Sequence, residues 1–237
     1  MKSSPEMTGI DKHQRVNDIL LGPIERRLLA WFSQRMPLWV TPDILTMTAL
    51  AAGVIIAASY ALTTISRDFL WVANMGIALH WFGDSLDGTL ARFRNIERPR
   101  YGYFIDHSLD TLVEFLVALG MGFSPLLRLD CALFGLAAYL MMSVSVNIRT
   151  CVTGVFRISY CKLGPTEFRA AMIIFNTIFY FTDNPVVAYF QGSVTVCDLL
   201  ALTAGTVLLC IFSVSTALTA LELRRQEQSP RNVLGNS

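Results

Sequence analysis

Two stretches of the chain, residues 44–66 and 199–221, each run for 23 positions without an acidic or basic side chain. About 20 consecutive apolar residues suffice for a helix to cross the hydrocarbon core of a bilayer. Both stretches are long enough to span, and a third, 131–148, is nearly so. Three more, at about 69–91, 103–123 and 166–190, are apolar but interrupted by charge. Only 16% of the residues are charged, against about 25% in ordinary soluble domains. The pattern predicts an all-α integral membrane protein of six transmembrane helices.

Residues 21–40, "LGPIERRLLAWFSQRMPLWV", mix Leu, Trp, Phe and Ile with Arg. Such a mixture predicts an amphipathic helix lying in the headgroup plane. The chain then divides into an N-terminal cytoplasmic and interfacial segment (1–40), a six-helix domain (41–223) and a loose polar tail (224–237). The first apolar run begins only after some forty mixed residues, so no cleaved leader is expected. Lys and Arg collect on one side of the predicted membrane, seventeen against two, the two being Arg67 and Arg128. Positive loops stay cytoplasmic, so both termini are expected there, in a bacterial inner membrane or an endomembrane. Nothing supports nucleic-acid binding. The five cysteines, Cys131, Cys151, Cys161, Cys197 and Cys210, form no C-x-x-C pair and read as small apolar core residues.

Against this background, "GDSLDGTLARFRNIERPRYGYFIDHSLD" (83–110) stands out for its four aspartates. Residues three and four apart share a helix face. Asp84, Asp87 and Ala91 therefore line one side of the second span, with Gly88 adjacent, and Asp106 and Asp110 line one side of the third. Glu114 extends that second row by a turn. The short loop between them makes the spans antiparallel neighbours, with both rows at the cytoplasmic end. A charge at the centre of a spanning helix costs roughly 2.5–3.5 kcal/mol, so four uncompensated carboxylates would cost on the order of 10 kcal/mol. Divalent cations prefer carboxylate oxygen and would offset both that cost and the mutual repulsion. Four carboxylates from two facing helices can hold two ions about 3.5–4 Å apart. Membrane acids also pair with arginine, and Arg92, Arg94, Arg98 and Arg100 are near in sequence. Gly88 and Ala91 allow a bulky substrate to approach the helix backbone, or equally allow close helix packing.

The segment resembles the signature of the CDP-alcohol phosphotransferase family, Asp-x-x-Asp-Gly-x-x-Ala-Arg, a spacer, then Gly-x-x-x-Asp-x-x-x-Asp. Asp84, Asp87, Gly88, Ala91, Arg92, Gly102, Asp106 and Asp110 match all eight fixed positions. The spacer holds nine residues, one or two more than the family's usual seven or eight. The preceding "TPDILT" is similar to the family's Pro-Asn-x-Ile/Leu-Thr entry to the nucleotide site, with Asp43 in place of Asn and Thr46 retained. The resemblance implies a six-span phospholipid-synthesis enzyme that transfers a phosphoalcohol from a CDP-alcohol to an acceptor alcohol and releases CMP. It implies two Mg²⁺ or Mn²⁺ ions on Asp84, Asp87 and Asp106, with Asp110 completing the metal site or acting as base, and a homodimer. Thr46, Gly88, Ala91, Arg92 and Gly102 then fall on the substrate-binding side.

"FIDHSLD" resembles the Phe-Asp-His-x-x-Asp run of choline and ethanolamine phosphotransferases, which makes His107 a second candidate base; it can equally bond a neighbouring carboxylate. A fainter echo of that branch lies in "TCVTGVFRISYCKLGPTEF", with Thr150, Gly154, Thr166 and Glu167. Two donors stay open: a CDP-aminoalcohol with diacylglycerol as acceptor, favoured by His107, or CDP-diacylglycerol with a polar acceptor, favoured by the short chain. His80, one turn before Asp84, reads as structural. Arg149, Arg157, Lys162 and Arg169 gather at the cytoplasmic end of the fourth and fifth spans, where positive flanking charge is the default. Arg149 and Arg157, nearest an apolar run, are candidates to bind a diphosphate or an acceptor's phosphate. The same acidic set would also suit a divalent-cation transporter or a catalytically inactive membrane scaffold.

Overall fold

In the computed structural model, residues 21–153, 165–182, 184–189 and 193–228 are described. Helix α1, Gly22–Arg35, carries Pro23 in its first turn, where a missing N–H costs nothing. Its inner face buries Leu29 and Ser33, while Ile24, Leu28 and Trp31 form an exposed apolar stripe at helical spacing. Thr41 then caps helix α2, Pro42–Leu62, its hydroxyl accepting the Ile44 N–H at 3.3 Å, with Pro42 supplying a pre-set first turn.

Helix α3, Phe69–Phe93, ends in a paired closure in which the Asn95 N–H donates to the Arg92 carbonyl and the Ile96 N–H to that of Ala91. Asn95 sits at φ 56°, left-handed backbone that Asn tolerates better than most residues. That tight stop, followed by Pro99 at the start of helix α4 (Pro99–Gly122), reverses the chain within a few residues. Helices α5 (Leu129–Thr153), α6 (Pro165–Phe181) and α7 (Val196–Gln228) complete the bundle.

Helix α2 packs against both α3 and α4, and small residues let it come close. A Cβ on Gly83 would lie 2.6 Å from the Leu45 carbonyl oxygen, and one on Gly120 would run into the Ala57 backbone. Ile56, Tyr60, Leu70, Ala73 and Ile77 fill the α2–α3 core; Leu29, Val40, Leu45, Leu86 and Leu90 fill a second core where α1 lies on α3. Helix α6 joins on the α3 side and α7 packs on α5.

Helices α2, α5 and α7 are each long and apolar enough to cross a membrane, and the chain is a helical membrane protein. The wide exposure of large apolar side chains, such as Met75 at 74% and Leu218 at 62%, suits lipid rather than water as the surrounding medium. Helices α3, α4 and α6 match the interrupted stretches, but the expected span over 166–190 needs correction. Helix α6 stops at Phe181, and residues 186–189 instead form strand β1, Val186–Tyr189, paired antiparallel with β2, Ser193–Thr195. Pro185 cannot continue a helix, and β-branched Val186, Val187, Val194 and Thr195 suit extended backbone.

The all-α membrane architecture thus holds, with one small hairpin between α6 and α7 among the described residues. Buried Asp198 seals the hairpin end by accepting from the Arg128 and Thr195 amides at 2.8 and 2.7 Å. Helix α7 continues to Gln228, five residues into the expected tail. Cys131 is buried as expected, but Cys151 and Cys210 lie exposed on the bundle's outer surface; Cys161 is outside the described residues.

Candidate functional site

The reversal after Asn95 leads α3 into α4, but the two are not the closely packed neighbours expected: each packs on α2, and their acidic rows meet across the cleft that this leaves between them. One carboxylate oxygen from each of Asp84, Asp106 and Asp110 lies within 4.8 Å of the others. Two oxygens on opposite sides of a Mg²⁺ ion are about 4.1 Å apart, so a small inward movement would let all three ligate one ion. The donor set is hard oxygen throughout, as Mg²⁺ and Mn²⁺ prefer.

Asp87 lines the same cleft but stands apart from that trio. Its Oδ2 accepts the Thr46 hydroxyl at 2.6 Å and its Oδ1 accepts the Gly88 amide. Thr46, from the second turn of α2, thereby ties the acidic face of α3 to its neighbour. The cleft is further lined by Ala49, Leu50, Leu109 and Val113, an apolar surround in which a fixed charge keeps its strength. His80 is buried and also lines the cleft, one turn from Asp84, so its setting is closer to the acids than a purely structural reading implied.

The small residues of the signature lie open. Among the described residues nothing comes within 4 Å of where a Cβ on Gly102 would point, and at Gly88 only the Arg92 guanidinium does, at 3.5 Å. Room for a ligand along this backbone, rather than close helix packing, distinguishes both from Gly83 and Gly120. Ala91 is half-buried, and Arg92 donates to the Thr89 hydroxyl at 3.2 Å.

His107 is turned along its own helix. Its Nδ1 lies 3.0 Å from the Tyr103 carbonyl and 3.8 Å from Asp106 Oδ2, and its ring stacks on that of Tyr103 at 4.2 Å. It is not among the residues that line the cleft. Arg149, one turn before the end of α5, is half-buried and likewise does not line it. Arg157 and Gly154 lie outside the described residues. Of the fainter echo, Thr150 is buried and bonds within α5.

The arginines between α3 and α4 are engaged elsewhere. Arg94 donates to the carbonyls of Met36, Pro37 and Val40, holding the α1–α2 turn. Arg98 pairs with Asp43, which gives the acid at that position of the entry motif a cationic partner. The arginine that does reach the acids comes from α6: Arg169 Nη2 donates to Asp84 Oδ2 at 2.6 Å, with the two side chains only 16% and 17% exposed.

By sequence Arg169 falls among the positive flanking charges. Its position inside the first turns of an apolar helix was the available signal, because a cation there needs a partner. Glu25 was also missed: its Oε1 accepts from Trp81 Nε1, Ser85 Oγ and Thr166 Oγ1 at 3.0–3.1 Å. With the Leu21 amide donating to Glu167 at 2.8 Å, α1 is pinned to both α3 and the first turn of α6.

Comparison with known proteins agrees with the motif. The profile described as CDP-alcohol phosphatidyltransferase matches residues 39–211. Similar sequences include cholinephosphotransferase 1 of Bos taurus, 28% identical over 167 residues that cover 65% of this chain and 39% of that protein. The Homo sapiens protein of the same name is 28% identical over 163 residues, 65% of this chain and 39% of its own. That of Gallus gallus is 27% identical over 183 residues, 72% of this chain and 52% of its own. The chain spans about two-fifths to half the length of these curated relatives.

Proposed function

Because the chain belongs to the CDP-alcohol phosphatidyltransferase family, we propose that it transfers a phosphoalcohol group from a CDP-alcohol to a second alcohol and releases CMP. The observation that carries this reading is the meeting of Asp84, Asp106 and Asp110 at one point of an otherwise apolar cleft. We infer a CDP-aminoalcohol as donor and diacylglycerol as acceptor, a choice supported by the likeness to cholinephosphotransferases and by the Asp106–His107 pair.

In this reading Asp84, Asp106 and Asp110 hold divalent ions, Mg²⁺ or Mn²⁺, with Asp87 completing a two-ion set. When bound, such ions supply neutralisation of the charge that develops on the diphosphate. Thr46 holds Asp87 in place, and the open backbone at Gly88 and Gly102 admits the nucleotide between α3 and α4. Asp110, one turn deeper than Asp106, takes the proton from the attacking hydroxyl at a carboxylate oxygen; a base must lie within hydrogen-bond reach of that proton. His107 Nδ1 is directed to the Tyr103 carbonyl, which leaves its ring a positioning role beside Asp106. Arg149 and Arg157 remain candidates for phosphate contacts at the cytoplasmic rim.

The same reading takes α2 to α7 as six spans with both termini and the cleft facing the cytoplasm, α1 lying in the interface on its Ile24, Leu28 and Trp31 stripe, and the active form as a homodimer. The decisive assay offers the purified chain CDP-choline, CDP-ethanolamine or CDP-diacylglycerol with matched acceptors, in Mn²⁺ or Mg²⁺. CMP is expected from a CDP-aminoalcohol with diacylglycerol, and none after chelation. CMP from CDP-diacylglycerol instead would reverse the donor assignment. Nucleotide-independent metal flux into liposomes would favour a transporter, and silence in both assays a scaffold.

A further inference from the structure

Arg169 lies 85 residues from Asp84 in sequence yet shares a hydrogen bond of 2.6 Å with it, and both side chains are largely withdrawn from solvent. A guanidinium in such a place is not an ordinary flanking charge, because leaving water costs more than a surface pairing returns. Asp84 converges with Asp106 and Asp110 in the same cleft, so one cation faces the acidic cluster from the α6 side. The first turn of α6 is tied down by Thr166 to Glu25 and by Glu167 to the Leu21 amide. The backbone that carries Arg169 is therefore braced, and the guanidinium can leave Asp84 only by changing its own rotamer.

Asp84 is one of the three carboxylates that converge in the cleft. Its Oδ2 is already engaged, so a divalent ion that takes Asp84 as a full ligand meets a positive group on the same carboxylate. We propose that Arg169 is the resident counter-ion of the carboxylate cluster, neutralising Asp84 in the metal-free protein and displaced from it when a divalent ion binds. This rests on the reading that the cleft holds such ions. It assigns Arg169 a positioning role: it steadies Asp84 and raises the ion concentration at which the carboxylates take up an ion.

The test uses the full chain in nanodiscs without nucleotide, titrated with Mn²⁺ and followed by the electron paramagnetic resonance of free Mn²⁺. Arg169→Gln should bind Mn²⁺ about tenfold more tightly than the parent, an ordinary size for coupling between two competing charges. It should also melt at a lower temperature without metal, and the gap should narrow at saturating Mn²⁺. Arg169→Lys, which keeps the charge, should bind Mn²⁺ much as the parent does. A second readout needs no variant: modification of Arg169 by phenylglyoxal, read by peptide mass, should rise several-fold once Mn²⁺ is bound. Equal or weaker Mn²⁺ binding in Arg169→Gln, or modification indifferent to Mn²⁺, would overturn the proposal and leave Arg169 as a brace between α3 and α6. If the parent chain takes up no Mn²⁺ at all, the divalent site fails, and the proposed function with it.

Discussion

Asp110 and His107 sit on the same turn of α4, and the difference in where they point is the ground for proposing Asp110 as the base. Asp110 faces the cleft beside Asp84 and Asp106, whereas His107 lies against Tyr103 with Nδ1 at its own helix's carbonyl. Positioned acid–base groups are worth roughly 10²–10⁴-fold in rate. Asp110→Asn should accordingly lower CMP release by about that factor while leaving the melting temperature close to the parent's, since the two side chains are isosteric. His107→Ala should cost less than about tenfold, the loss of a positioning contact rather than of the base. Comparing initial rates of the two purified variants checks the assignment, and the reverse order would move the base to His107. Thr46 illustrates how a common residue gains a particular role. A helix-start threonine needs no special explanation, but here its hydroxyl reaches across to Asp87.

At the level of elements, α1 is more than a lead-in. A single oxygen of Glu25 gathers donors from two places on α3 and one on α6, so the short helix α1 clamps the elements that carry Asp84 and Arg169. Removing an acceptor from part-buried donors costs roughly 1–3 kcal/mol. Glu25→Ala should therefore lower the melting temperature in detergent and expose the α6 end to protease, whereas Glu25→Gln, which keeps an acceptor oxygen, should do so less. Limited proteolysis beside a thermal melt would show both effects, and a melt unchanged in Glu25→Ala would mean that the clamp contributes nothing. The hairpin that replaces the end of the expected fifth span makes the opposite point. Residues 166–190 are apolar enough to pass for one span, yet Pro185 ends the helical option and valine-rich segments pair instead.

For the whole molecule, the arrangement proposed is six helices with the cleft and both termini on one side. The charge asymmetry that implies it, seventeen basic residues against two, can be tested directly. In a cysteine-free background, Arg67→Cys should react with an impermeant maleimide from outside intact cells. Gln226→Cys, near the end of α7, should react only after the membrane is opened. Labelling of both from the same side would overturn the topology. Spacing along the chain was enough to locate the helices of bilayer length, the reversal between α3 and α4, and the two acidic rows that face one another, because each depends on residues within a turn or two of each other. Packing alone decided that three of the four aspartates converge while Thr46 holds the fourth, that Arg98 meets Asp43, that Arg169 reaches Asp84, and that Glu25 ties α1 to α3 and α6. The hydrogen-bonded pairs among them are 41 to 141 residues apart. No periodicity links such distances; only the close approach of small-residue helix faces, which sets α2 against α3, and the joining of α6 to α3 bring them within a hydrogen bond.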